Sequence, residues 1–412
     1  MINQARLWQR LQEVSEIGKH EQGGITRLSF TREERQVKDL VASYMEEAGL
    51  IVREDAIGNL IGRKEGSLAG ASAVLIGSHL DSVPMGGNFD GPLGVLAGVE
   101  VLQTMNEQGI TSDHPIEVIA FTDEEGGRFQ FGMIGSRALA GTLTNAHLQN
   151  TDRDGISIES AMRESALDPL RIAEAAREKG TVKAYIELHI EQGKVLESNH
   201  LSVGIVSGIA GPLWMKWTLI GEAGHAGATP MGIRKDPLPA AANLILAIEQ
   251  EVKKYPNAVG TVGQISVKPG GVNVIPGQVE FTLDLRDIDE QVRNQLEQQL
   301  VTYAQELCQE REITLQVETL QRVAPAPCSP VIQQIMEQAC TANALKTTVL
   351  PSGAGHDGMQ LKELCPISMI FIRSKDGISH NPAEWSSPED CADGANVLYH
   401  TVLALGSEQA VL

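Results

Sequence analysis

The chain has 412 residues, 42% of them apolar and 21% charged, a balance that suits a globular protein of two or three domains. Its 33 Lys and Arg against 53 Asp and Glu give a formal net charge of −20, which argues against nucleic acid and against an anionic membrane surface as partners. No apolar run reaches membrane-spanning length, and the five cysteines, odd in number and never in C-x-x-C spacing, read as free thiols of a reducing cytoplasm.

Residues 1–24 read as an amphipathic helix that lacks the apolar core of a signal peptide. "AVLIG" (73–77) and "IEVIAF" (116–121) are short, continuous and rich in β-branched residues, the mark of buried strands. Between them, residues 94–108 place Leu96, Val99, Leu102 and Met105 at helical spacing, so the segment is a β-α-β unit. "AYIELHI" (184–190) is a third buried run. From residue 211 the rhythm changes. "LWMKWTLIG" alternates, 237–252 is helical, "GTVGQISV" and "QVEFTLDLR" are strands, 290–309 is a long helix and "ITLQVETL" is a strand. That order, β-α-β-β-α-β, predicts four antiparallel strands backed by two helices. The prolines of "RVAPAPCSP" close the segment, and "SMIFIRS" (368–374) resumes the first pattern. The expected architecture is therefore α/β: a domain of residues 1–210 and 328–412 with a helix-covered mixed sheet, interrupted by a smaller α+β domain of residues 211–327.

Open α/β sheets gather ligands at the carboxyl ends of their strands. There this sequence places His79, Asp81 and Asp90; Asp123, Glu124 and Glu125; His189, Glu191 and Gln192; and, in a loop, His380. Each group alone also suits a bland reading, such as a solvated loop histidine or a carboxylate at a helix start. Four of them on one sheet edge point instead to a metal site without thiolates. Three histidines and two carboxylates suit two zinc-like ions about 3.5–4 Å apart that acidify water, with one carboxylate bridging. Neighbouring side chains Glu124 and Glu125 point opposite ways, so one can bind metal while the other serves as base. "GGNFDGPLG" lacks the spacing of a phosphate loop, and its glycines suit a tight turn that returns Asp90 toward His79.

At these residues the sequence resembles the dinuclear-metal amidohydrolases related to aminoacylase and the bacterial glutamate carboxypeptidases. Within them it is most similar to the branch of N-carbamoyl-L-amino acid hydrolase, β-ureidopropionase and allantoate amidohydrolase. The motifs that carry the resemblance are "GSHLDSV", "GGNFDGPLGV", "FTDEEGGRF", "ELHIEQG", "GEAGHAGATPM", "GGVNVIPG", "LDLRD", "SGAGHD" and "GISHNPAE", in order over nearly the whole chain. The resemblance implies His79, Asp90, Glu125, His189 and His380 as ligands of two divalent ions (Zn2+, or Mn2+, Co2+ or Ni2+), with Asp90 bridging. It implies Glu124 as the base and Asp81 as the partner that orients His79. It also implies that the inserted domain is a dimerisation domain, so that the protein is a homodimer. His225 would stabilise the oxyanion from that domain, and Asn273 and Arg286 would hold the substrate carboxylate. Gln192 and His356 would line the pocket. His189 stands where the peptidase branch usually carries a carboxylate.

The activity this implies is hydrolysis of an N-carbamoyl-L-amino acid to the amino acid, ammonia and carbon dioxide. Allantoate is the rival substrate, against which Leu213 and Trp214 suggest an apolar side chain. An aminoacylase or dipeptidase is more distant. A metal-free binding relative would be expected to lack ligands, and none is missing. His114, His147, His200 and His400 have no clustered partners and read as surface or helix residues.

Overall fold

Residues 1–410 are described by a computed structural model in which the chain divides into two units, Met1–Ser207 with Cys328–Leu412, and Gly208–Pro327. The first unit opens with helices α1 (Gln4–Ser15) and α2 (Arg32–Glu47). Thr31 caps α2 by accepting the Glu34 N–H, and Glu34 reaches back to the Phe30 N–H. The strands β1 (Ile51–Glu54) and β2 (Leu60–Lys64) form a hairpin, followed by β3 (Ala73–His79), α3 (Pro92–Glu107) and β4 (Ile116–Phe121). Two short helices, α4 (Ile134–Leu139) and α5 (Ile158–Glu164), lead to β5 (Val182–Ile190), α6 (Val195–Ser198) and β6 (Val203–Ile209).

The second unit runs β7 (Gly211–Ile220), β8 (Gly224–His225), α7 (Pro237–Val252), β9 (Val259–Thr261), β10 (Ile265–Lys268), β11 (Val274–Ile275), β12 (Gln278–Asp287), α8 (Glu290–Glu310), β13 (Thr314–Arg322) and β14 (Ala326–Pro327). Its sheet has the order β10-β12-β7-β13, antiparallel throughout, with β9 also on β12. The segment expected as one strand, "GTVGQISV", is thus two. Asp284 pairs with Thr261 and Phe281 with Ile265, so residues 262–264 face only 282 and 283, and the extra residue forms a bulge. Along β12 the side chains of Val279, Phe281, Leu283 and Leu285 are buried, and they pack with Leu244 and Ile248 of α7 and Leu296 and Leu300 of α8. A separate two-stranded ribbon pairs β8 with β11.

The chain then returns to the first unit with α9 (Pro330–Ala342), β15 (Val349–Ser352), α10 (Gly358–Leu361), β16 (Ile367–Ile372) and α11 (Pro388–Leu405). The first unit's sheet has the order β1-β2-β4-β3-β5-β16-β6. β3, β4, β5 and β16 are parallel neighbours, and the outer pairings are antiparallel. Buried residues of α1, α3, α9 and α11 make one core with this sheet, and Phe30, Ile134, Ile158 and Met162 belong to another cluster. Parallel alignment is what matters for the site. His79 lies opposite Phe121, and His189 opposite Phe371, so four strands end at one edge.

Candidate metal centre

Each strand end that the sequence singled out brings at least one of its side chains to this edge. After β3, the chain turns through Gly91, whose φ of +87° leaves no room for a side chain: a Cβ would lie 2.5 Å from the His79 ring. The turn returns Asp90 to the end of its own strand. Asp90 Oδ1 lies 3.4 Å from His79 Nε2 and 3.1 Å from His189 Nε2, whereas its Oδ2 lies 3.3 Å from His380 Nε2. His380 Nε2 is also 3.4 Å from Glu125 Oε2. Two groups of potential ligand atoms result, His79–Asp90–His189 and Asp90–Glu125–His380, each gathered within 4.8 Å. Asp90 belongs to both and offers a different oxygen to each. Glu124 stands beside them, its Oε2 3.9 Å from His79 Nε2.

The ring tautomers follow from the acceptors around them. His79 Nδ1 lies 3.1 Å from the Asp81 carbonyl and His189 Nδ1 2.9 Å from the Ile190 carbonyl. A carbonyl only accepts, so Nδ1 carries a hydrogen in both rings, and in the neutral ring Nε2 presents a lone pair. Those two lone pairs face the same carboxylate oxygen, and His189 Nε2 is buried without a hydrogen-bond partner. Lone pairs and a carboxylate meet in this way around a cation or a proton, so the donor set fits a divalent ion. Glu187, His189 and His356 form a third potential ligand group, but it would use the same His189 nitrogen and is no independent site.

The ionisation of the cluster reflects its burial. Burial opposes charge on Asp90, yet His189, His380 and His79 hold it well below the usual carboxylate range. Burial would lower His79, but Asp90, Glu124 and Asp81 push it well above its ordinary value. Burial and nearby carboxylates raise Glu124 well above its normal range and Glu125 to about 7. The hydrogen bond to Asp90 raises the half-exposed His380 to about 9. These neighbouring groups therefore titrate as a cluster, each setting the charge of the next.

The remaining expected residues fall into three settings. Asp81 touches His79 through its carbonyl; its carboxylate is 3.7 Å from the ring and instead accepts the backbone N–H groups of Glu124 and Glu125, each at 3.2 Å. Gln192 donates from Nε2 to Asp90 Oδ2 at 2.7 Å, while its buried Oε1 has no partner. Buried His356 has its Nε2 2.9 Å from Ser352 Oγ and stacks edge-on against His189. In the second unit, the ribbon brings His225 and Asn273 together, since Val274 pairs with His225 and the Ala226 N–H donates to the Asn273 carbonyl. His225 Nδ1 accepts the N–H groups of Gly227 and Ala228, so the neutral ring carries its proton on Nε2, facing outward as a donor. Arg286 lies on β12, its Nε and Nη2 on the Asp284 carboxylate. Leu213 corrects the expectation of an apolar substrate wall. It is fully buried against α7 and α8, because strand alternation sends it to the opposite face from the half-exposed Trp214.

Glu191, which the sequence placed at the end of a strand, caps α6 by accepting the N–H groups of Val195 and Leu196. Other contributors went unread: Ser374 Oγ accepts the Gln192 N–H. Ser379 and Glu384, both inside the quoted "GISHNPAE", reach the Asp90 turn. The only signal for them was their place beside His380, and a serine or glutamate in a loop has many ordinary uses.

A mixed sheet whose parallel strand ends converge on a shared carboxylate gives the chain a candidate metal centre, and its family makes it a hydrolase. The chain belongs to peptidase family M20/M25/M40, whose family model matches residues 75–404. It is 61% identical over 405 residues to N-carbamoyl-L-amino acid amidohydrolase of Geobacillus stearothermophilus, covering 98% of this chain and 99% of that one. It is 37% identical over 382 residues to allantoate deiminase of Arabidopsis thaliana, with 85% and 73% of the two chains covered. Among solved structures, an amidase of the hydantoinase/carbamoylase family from Burkholderia multivorans superposes with a TM-score of 0.92 at 36% identity, covering 99% of each chain.

Proposed function

We propose that the protein hydrolyses N-carbamoyl-L-α-amino acids to the amino acid, ammonia and carbon dioxide. The observation that carries the reading is the Asp90 carboxylate, whose two oxygens serve two separate ligand groups. Likeness to the Geobacillus amidohydrolase along nearly the whole chain supports the substrate class. His79, Asp90 and His189 would hold one divalent ion, and Asp90, Glu125 and His380 the other. Such a pair supplies Lewis acidity and lowers the pKa of water toward neutrality. Its elemental identity is open to Zn2+, Mn2+, Co2+ or Ni2+, all of which accept imidazole and carboxylate.

The chain's own residues do the rest. Glu124 takes the proton of the attacking water and delivers it to the leaving nitrogen. Its raised affinity for a proton, caused by burial, suits a group that must hold one between the two transfers. Asp81 fixes the peptide units of Glu124 and Glu125 and sets the tautomer of His79. His225 donates from Nε2 to the carbonyl oxygen as negative charge grows on it. Arg286 and Asn273 bind the substrate carboxylate, a task that suits a planar guanidinium. Gln192 and His356 line the pocket, and the unpaired Gln192 Oε1 suits an N–H of the ureido group.

We further propose that the protein acts as a homodimer through residues 211–327, whose helices expose Leu238, Leu246 and Tyr303. We place it in the cytoplasm, which suits five free thiols. Among the described residues no helix is long and apolar enough to cross a membrane. The deciding experiment measures ammonia release from N-carbamoyl-L-methionine and from allantoate alongside metal content. Turnover of the first is expected to exceed that of the second at least tenfold; preference for allantoate overturns the proposed substrate.

A further inference from the structure

We infer that Glu384 is a positioning residue that builds the second half of the metal centre by tying the Asp90 turn to the His380 loop; the inference rests on the two-ion reading above. Glu384 is buried, with 6% of its surface exposed, and is no candidate ligand itself. Its Oε1 accepts the backbone N–H groups of Phe89 and Asp90, at 2.8 and 3.1 Å. Its Oε2 lies 2.9 Å from Ser379 Oγ, and the same hydroxyl lies 2.9 Å from Asp90 Oδ2. One carboxylate therefore holds both the main chain of the shared ligand and the residue that precedes His380.

Three further features show that this contact is built for its place. Gly87 leaves the space the carboxylate fills, since a Cβ there would lie 2.1 Å from Glu384 Cδ. His380 adopts a φ of +55°, a left-handed conformation uncommon for a non-glycine residue, and its neighbours on both sides are held. Those neighbours are Ser379 on one side and, on the other, Asn381, whose carbonyl accepts the Glu384 N–H and whose side chain accepts the Ala383 N–H. Ser379 and Gln192 both reach Asp90 Oδ2, the oxygen that faces His380, while Oδ1 faces His79 and His189. Glu384 thus holds the main chain of Asp90 and, through Ser379, reaches its carboxylate on the Oδ2 side alone. His79 and His189 are oriented separately, by carbonyls of their own strand ends.

This asymmetry gives the test. The full-length chain, stripped with EDTA, is titrated with Co2+ and followed by calorimetry and by visible absorption. Wild type is expected to take two ions. Glu384→Ala is expected to bind the first within about threefold of wild type and the second about 10–100-fold more weakly, the usual range for outer-sphere partners. Gly87→Ala, which displaces the carboxylate without removing it, is expected to behave alike. Glu384→Gln is expected to restore the second ion, because its amide oxygen still accepts both N–H groups and its nitrogen can donate to Ser379 Oγ. Melting of the metal-free variants reports whether the fold survives. The inference is overturned if Glu384→Ala and Gly87→Ala bind both ions as wild type does, or if both ions are lost equally and Glu384→Gln restores neither. A wild-type chain that takes fewer than two ions overturns the two-ion reading instead.

Discussion

Glu124 differs from its neighbour Glu125 by one step of the chain, and the two meet different surroundings. Glu125 Oε2 faces His380, whereas Glu124 Oε2 faces His79 and joins neither shared-carboxylate group. Replacing Glu124 by Gln is expected to lower kcat by about 10²–10⁴-fold while metal content is unchanged; a variant that keeps its turnover shows that another group is the base. Arg286→Ala is expected to raise KM for N-carbamoyl-L-methionine at least tenfold. Retention of the wild-type KM would remove Arg286 from carboxylate binding. The thiols give a prediction of a different kind. Burial pushes Cys328 and Cys365 up to about 12 and Cys340 to about 11. An unfolded thiol titrates near ~8.5, so above that pH the unfolded chain sheds protons that the native chain keeps. Their contribution to stability is complete below about pH 8.5 and is lost as pH rises toward 11–12. The melting temperature of a Cys328→Ala, Cys365→Ala variant is therefore expected to fall less steeply between pH 8 and 10.5 than that of wild type.

Elements were legible in proportion to how far one environment governed them. β3, β4 and β16 are buried along their whole length, and their apolar runs stood out. β12 alternates buried and half-buried residues, as a strand with one covered face must. The hairpin of β1 and β2 was unread, because β1 is a charged edge strand with little buried surface. The bulge between β9 and β10 was unread for another reason, since it exists only in register with β12. Glycine marks where elements press together. Gly77 in β3 has a φ of +143°, and a Cβ would lie 1.9 Å from the Ile119 carbonyl on β4. Gly77→Ala is expected to cost about 3 kcal/mol or more in urea unfolding, and Gly353→Ala, whose added Cβ would meet no atom within 4 Å, less than about 0.5 kcal/mol. Equal costs would show that this contact does not constrain the sheet.

At the scale of the molecule, each unit has covering helices and buried apolar residues of its own. The unit Gly208–Pro327 buries Trp217, Phe281 and Leu285 beneath α7 and α8 without help from the other core. Expressed alone, it is expected to unfold cooperatively and to bind no divalent ion; a molten segment would contradict the independence of its core. The candidate ligands all belong to the other unit, so EDTA is expected to abolish turnover and lower the first unit's melting temperature. Ions present at a thousand times their dissociation constant contribute about 4 kcal/mol each, so an unchanged melting curve would show that nothing had bound there.

The sequence by itself determined that His79, Asp90, Glu124, Glu125, His189 and His380 meet. Apolar runs of strand length, each ending in His or a carboxylate, sufficed, because parallel strands present their ends at one edge. Only the tertiary structure decided how those residues divide the work. Which Asp90 oxygen faces which histidine depends on a turn that folds back over 11 residues and on a loop almost 300 residues away. The tautomers depend on carbonyls, which no residue type announces. Glu384 is tied to the site by backbone N–H groups, and Leu213 was removed from it by strand alternation. Composition and spacing carry residue types, whereas hydrogen-bond direction and facing are set by long-range register.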